Sequence, residues 1–168
     1  RRYLILRSLR KQPRPVHILI GGVTGVGKSV LASALAYRLG ITHIVPSDAV
    51  REVFRASLSK DLLPTLHLST FEAWRALSPG LGLEGESYEV QVMRGFLDQV
   101  AKVAVGLKAI QERSALEGTS IVLEGVHVVP RFLQHPYQDR VFTIPMLVAV
   151  QDDRPVPIKR DLGDATAQ

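Results

Sequence analysis

Apolar residues in this chain fall in short runs bounded by turn residues, and these runs alternate with longer stretches of helical composition. Val16-His17-Ile18-Leu19-Ile20, set between Pro15 and Gly21-Gly22, predicts a buried strand. Ser29-Val30-Leu31-Ala32-Ser33-Ala34-Leu35-Ala36-Tyr37-Arg38-Leu39 is made of good helix formers, with Gly40 placed as its C-terminal cap. His43-Ile44-Val45-Pro46 predicts a second short strand, and Ser47 or Asp48 is placed to cap a helix reaching residue 57. Thr70 is placed to cap a helix over 71–77 that Ser78-Pro79-Gly80 would stop. The longest helical pattern runs from Ser87 to Leu116, weakened by Gly95 and Gly106 and closed by Gly118. Ser120-Ile121-Val122-Leu123-Glu124 predicts a third strand, and Pro130–Gln134 a helical turn. A fourth strand lies within 143–150, its start delayed by Pro145. Pro155 and Pro157 leave room for a short edge strand near Val156-Pro157-Ile158, and residues 164–168 read as a frayed end.

Apolar strands alternating with helices predict an α/β fold, a three-layer sandwich with a mainly parallel sheet covered on both faces. Ligands of such sheets lie beyond the carboxyl ends of the strands, so the residues after Ile20, Pro46, Leu123 and Val150 hold the most interest. A length of 168 residues favours one domain. Residues 1–15 read as a basic linker or helix, 16–168 as the domain, and 58–87, the least regular stretch, as a flap. The first residue, Arg1, reads as the start of a processed or partial chain.

Composition narrows the chemistry. The chain has no cysteine, which removes disulfides, thiolate metal sites and cysteine nucleophiles, and fits a reducing, cytoplasmic setting. A formal charge of +5 suits an anionic small-molecule ligand. No dense basic run or basic–aromatic interleaving points to nucleic acid, and no apolar run of membrane-spanning length occurs.

Between the first strand and the first helix stands Gly22-Val23-Thr24-Gly25-Val26-Gly27-Lys28-Ser29, which fits G-x-x-x-x-G-K-[ST]. Glycines let successive N–H groups converge on one concavity, and the following helix offers its positive end to phosphate. This predicts a P-loop nucleotide-binding fold in which residues 22–30 hold a nucleotide, through Gly22, Val23, Thr24, Gly25, Val26, Gly27, Lys28, Ser29 and Val30. Lys28 would reach the outer phosphates and Ser29 a Mg²⁺ ion. No Asn-Lys-x-Asp occurs to read guanine, which favours adenine over guanine and makes ATP the expected nucleotide.

Glu124 ends an apolar strand, where an acid can orient Mg²⁺ or its water; the alternative is an ion pair at a strand end. Asp48 follows the second strand, where it can orient a substrate hydroxyl or serve as a helix cap. Arg51 and Arg55 lie one turn apart and can clamp an anion, or pair with Glu52 and Asp61. Arg75 and His127 are further candidates for the acceptor, with a structural role open for each. Trp74 reads as packing, and His17 as a structural histidine inside a strand.

These residues resemble the 2-phosphoglycerate kinase family. The resemblance runs through Ile18–Ser29, Pro46-Ser47-Asp48-Ala49-Val50-Arg51-Glu52, Leu66-His67-Leu68-Ser69-Thr70-Phe71-Glu72-Ala73-Trp74-Arg75 and Ile121-Val122-Leu123-Glu124-Gly125-Val126-His127-Val128-Val129-Pro130. It implies ATP- and Mg²⁺-dependent phosphorylation of 2-phosphoglycerate to 2,3-bisphosphoglycerate. It also implies catalytic roles for Lys28 and Asp48, acceptor contacts from Asp48, Arg51, Arg55, Arg75 and His127, and metal contacts from Ser29 and Glu124. A kinase of another phosphorylated metabolite and an ATP-binding regulatory module are the alternatives. The family continues after its fourth strand with a basic lid helix; here Val150-Gln151-Asp152-Asp153 leads to Arg154-Pro155-Val156-Pro157 without that pattern.

Overall fold

Residues 14–77 and 85–150 are described by the computed structural model. The expected N-terminal linker, the stop at 78–80, part of the flap, the edge strand near 156–158 and the frayed end lie outside these residues. Strand β1 (Val16–Gly21) is buried along its whole length and is followed by α1 (Lys28–Leu39). Next come β2 (His43–Pro46), α2 (Ser47–Ser57), the long α3 (Tyr88–Glu117), β3 (Ile121–Glu124) and β4 (Phe142–Leu147). Short 3₁₀ turns occupy Pro64–His67, Ala73–Ala76, Pro130–Phe132 and Gln138–Arg140.

The strands form one parallel sheet in the order β2-β3-β1-β4. Alternating side chains of the central strands divide the core into two layers, as a sheet covered on both faces requires. Leu19, Ile121 and Leu123 pack with Val103, Ala104 and Leu107 of α3 and with Leu66. Ile18, Ile20 and Val122 pack with Ala32 and Ala36 of α1. Alanines at those positions bring α1 close to the sheet, and Gly40 ends it in a left-handed cap that donates to Ala36 and Tyr37 carbonyls. The register sets Ile20 and Pro46 both opposite Glu124. The chain therefore leaves β1, β2 and β3 side by side, and the segments that follow share one edge of the sheet.

Four local expectations are revised. Pro46, not Ser47 or Asp48, holds the N-cap position of α2, with no side-chain cap. Ser47 is instead fully buried where the chain turns at Gly125, whose φ of 138° and contact with the Ser47 side chain leave no room for a Cβ. The helix expected over 71–77 is only a 3₁₀ turn. Tight backbone bonds from Glu72 to Ser69, Arg75 to Glu72 and Leu77 to Trp74 close it, while Gly95 of α3 lets the Ala73–Trp74 backbone approach directly. The turn expected over 130–134 is a 3₁₀ turn confined to Pro130–Phe132. Strand β4 begins at Phe142, ahead of Pro145, because among the described residues it pairs only with β1 and a proline N needs no partner on an open side.

His17 is fully buried, with Nε2 3.1 Å from Ser114 Oγ. Burial, joined by the neighbouring His135, lowers its pKa from 6.5 to about 4. Among the described residues no helix is long and apolar enough to cross a membrane.

Candidate active site

The loop after β1 is shaped by its backbone. Gly27 occupies the N-cap of α1 at φ 86°, a left-handed conformation that glycine adopts without strain. No side chain caps this helix and no acid stands in its first turn, so its leading N–H groups are available to an anion. Lys28 is buried, and its Nζ donates to the Val23 carbonyl at 2.6 Å across the loop. Val30, on the first turn of α1, is exposed. Ser29 donates through Oγ to Glu124 Oε1 at 3.0 Å, which joins the loop to the end of β3. Glu124 is itself buried. A hydroxyl and a carboxylate held together at a phosphate loop form an all-oxygen donor set suited to a hard divalent ion.

Asp48, one strand over, sits in the first turn of α2 with most of its side chain exposed. Its Oδ1 is 3.5 Å from Nδ1 of His127, which is fully buried below it. The Asp48 carboxyl lies below its ordinary pKa. The His127 ring is the largest cause; partial burial opposes it, and the His127, Arg51 and Lys28 charges add to the lowering. Asp48 is thus a carboxylate at neutral pH, surrounded by cationic groups and facing outward.

The arginines divide. Arg51 is half-buried and turns toward the flap, where its Nε donates to the Leu66 carbonyl at 3.1 Å and Nη2 to the Leu68 carbonyl. Burial, with Arg55 beside it, lowers its pKa, while Asp48 and Glu52 oppose the shift. Arg55 pairs with Glu52 at 2.7 Å, and its Nε is shut off from solvent without a partner. Arg75 pairs with Glu72 at 2.9 Å and lies 5.6 Å from the centre of the Trp74 ring. Trp74 in turn meets Tyr88 edge to face at 6.3 Å, so it packs the flap against α3.

A further set of residues, which no sequence motif marks, holds residues 65–68 in place. Gln99 of α3 donates to the Thr65 and Leu68 carbonyls at 2.6 and 3.0 Å. Thr65 Oγ1 donates to Asp98 at 2.5 Å, and Lys102 donates to both Thr65 Oγ1 and Asp98. The signal for Gln99 is faint but physical: it is a polar residue in the buried stripe that also contains Val103 and Leu107.

Comparison with known proteins agrees with the motifs. The chain is 45% identical over 134 residues to a 2-phosphoglycerate kinase of Pyrococcus horikoshii, covering 80% of this chain and 42% of that protein. It is 39% identical over 152 residues to a 2-phosphoglycerate kinase of Methanopyrus kandleri, covering 90% of this chain and 45% of that protein. It is 37% identical over 154 residues to one from Methanothermobacter thermautotrophicus, covering 90% of this chain and 48% of that protein. The chain therefore spans less than half the length of these relatives. No family model matches it, and no solved structure matches it.

Proposed function

We propose that this chain carries the phosphoryl-transfer site of an ATP- and Mg²⁺-dependent kinase acting on 2-phosphoglycerate, in a cytoplasmic setting. The observation that supports this best is the shared sheet edge. There Glu124 ends β3, which lies between β1, leading into the phosphate loop and Ser29, and β2, leading to the Asp48 carboxylate, which among the described residues forms no ion pair with a lysine or arginine. The similarity to 2-phosphoglycerate kinases supports 2-phosphoglycerate as the acceptor.

On this reading the N–H groups of residues 22–30 and Lys28 hold the nucleotide phosphates, and Ser29 and Glu124 hold Mg²⁺. When bound, the metal offsets charge on the phosphates. Asp48 accepts a hydrogen bond from the 3-hydroxyl of the acceptor and points its oxygen toward the phosphoryl group. As the new O–P bond forms and ADP leaves, the hydroxyl proton passes to Asp48 and on to water. A carboxylate whose pKa lies low is a weak base, so its contribution is mainly orientation. That suits a loose transition state in which the proton departs late. Arg55 and Arg75 would turn from Glu52 and Glu72 to the carboxylate and phosphate of the acceptor. Arg51 would use the guanidinium nitrogen that does not hold Leu66 and Leu68.

The test is ATP consumption by the purified chain with Mg²⁺, with and without 2-phosphoglycerate, and the product identified by mass. Formation of 2,3-bisphosphoglycerate only when both are present is the expected result. ATP turnover indifferent to the acid would overturn the choice of acceptor.

A further inference from the structure

The surroundings of His127 assign a proton to each of its ring nitrogens. Gln99 is fully buried on α3, and its Nε2 faces two flap carbonyls, those of Thr65 and Leu68. Turning that amide over would set its oxygen against two carbonyl oxygens, so its orientation is determined. Gln99 Oε1 is therefore the atom that lies 3.4 Å from His127 Nε2. A carbonyl oxygen only accepts, so Nε2 must carry a hydrogen. The other nitrogen, Nδ1, is shut off from solvent, makes no closer hydrogen bond, and lies 3.5 Å from Asp48 Oδ1. A bare lone pair there would face a carboxylate and be repelled. A second hydrogen makes the same contact attractive.

We propose that Gln99 holds His127 as a doubly protonated imidazolium, and that His127 is a positioning residue that fixes the Asp48 carboxylate for the acceptor hydroxyl. The proposal rests on the reading of Asp48 given above, which it deepens. Among the described residues, Arg51 on α2 and Lys28 on α1 act on Asp48, while Phe96 and Gln99 on α3 face the His127 ring. None of them is an acid that would compete for the imidazolium. Phe96, with its ring centre 6.4 Å from that of His127, forms an apolar wall on one side. A buried charge is costly unless it is paired, and Asp48 is the carboxylate within reach of the His127 ring. One carboxylate oxygen is engaged by His127, and the other is left for substrate. Because the same Gln99 amide ties down residues 65 and 68, the flap and the protonation of His127 depend on one side chain.

Ring-nitrogen NMR of the full chain, labelled at histidine, tests this without substrate. At neutral pH His127 is expected to carry protons on both nitrogens, and Asp48→Asn is expected to remove the one on Nδ1. A neutral His127 ring in the parent chain would overturn the proposal, as would a ring unchanged by Asp48→Asn in a folded variant. The parent measurement stands even where a variant fails to fold. His127→Phe should lower turnover up to about a hundredfold with nucleotide affinity unchanged, and His127→Asn, which can still donate to Asp48, should recover part of it. Equal losses in both variants would count against positioning through a donated hydrogen bond. If 2-phosphoglycerate is the wrong acceptor, the assay for 2,3-bisphosphoglycerate fails while the ring-nitrogen result is untouched.

Discussion

Residues 22–29 take their shape from their own backbone, through a left-handed glycine and the start of a helix, whereas residues 64–76 are held by side chains from distant parts of the chain. Arg51 of α2 and Gln99 of α3 both bind the Leu68 carbonyl, and Lys102 and Asp98 bind Thr65. A phosphate site recognises a group common to all nucleotides, and a contiguous loop with converging N–H donors suffices for that. A site for a particular small acid must set several charges at fixed distances. The proposed acceptor residues come from several parts of the fold: Arg51 is held by the Leu66 and Leu68 carbonyls, and Arg55 and Arg75 by Glu52 and Glu72. The difference predicts that damage to the loop acts on nucleotide, and damage to the flap acts on acceptor.

The sharpest way to break this division is Lys28→Ala. It should lower turnover by roughly a thousandfold or more and weaken nucleotide binding, measured by steady-state kinetics and by titration calorimetry. Nucleotide affinity equal to that of the parent would remove Lys28 from the phosphate site. Acid stability separates the scaffold from both regions. The folded pKa of His17, about 4, lies below its ordinary 6.5, so between those pH values the unfolded chain takes up a proton that the folded chain refuses. Stability should fall by roughly 3 kcal/mol as pH drops from 6.5 to 4, read from urea midpoints, and His17→Gln should flatten the slope. Asp48 behaves differently. Its folded pKa lies below 3.8, so its contribution is lost only as pH falls under that value. A decline between pH 6.5 and 4 therefore reports the scaffold, not Asp48.

Asp48→Asn should reduce turnover about a hundredfold with nucleotide affinity intact, which would place its effect on the acceptor side. Parallel loss of nucleotide binding would merge the two regions. Gln99→Leu removes the donor to Thr65 and Leu68 and should cost about 1–3 kcal/mol of stability in urea unfolding. Its kinetic effect should appear in turnover and in the KM of the acid, and not in the KM of the nucleotide. The smallest effect is expected for Arg55→Ala, below about 1 kcal/mol in stability, because its partner Glu52 is exposed. A raised KM for the acid with unchanged stability would establish that Arg55 leaves Glu52 to hold substrate.

What could be read in advance follows the same line. The phosphate loop, the acid ending β3 and the acid opening α2 each stand next to a short apolar strand, so their neighbourhood is contiguous and their geometry follows from the register of Ile20, Pro46 and Glu124. The pairing of Arg55 with Glu52, three residues away, was among the alternatives weighed from the sequence, whereas that of Arg75 with Glu72 was not. The anchors of the flap were not, because a helical pattern shows that Gln99 is buried but not which carbonyls it meets. Those contacts join residues more than thirty positions apart. The turn at Ala73–Ala76 was misread as a helix for a related reason. Its composition permits a helix, but close approach to Gly95 shapes it instead.

The most direct measurement is a titration of 2-phosphoglycerate into the chain saturated with Mg²⁺ and a non-hydrolysable ATP analogue, followed by backbone amide spectra. Shifts are expected at residues 47–55, 64–76 and 124–129, with the amides of 22–30 already moved by the nucleotide and little changed by the acid. Shifts confined to residues 22–30, or competition between the acid and the nucleotide for that loop, would contradict this.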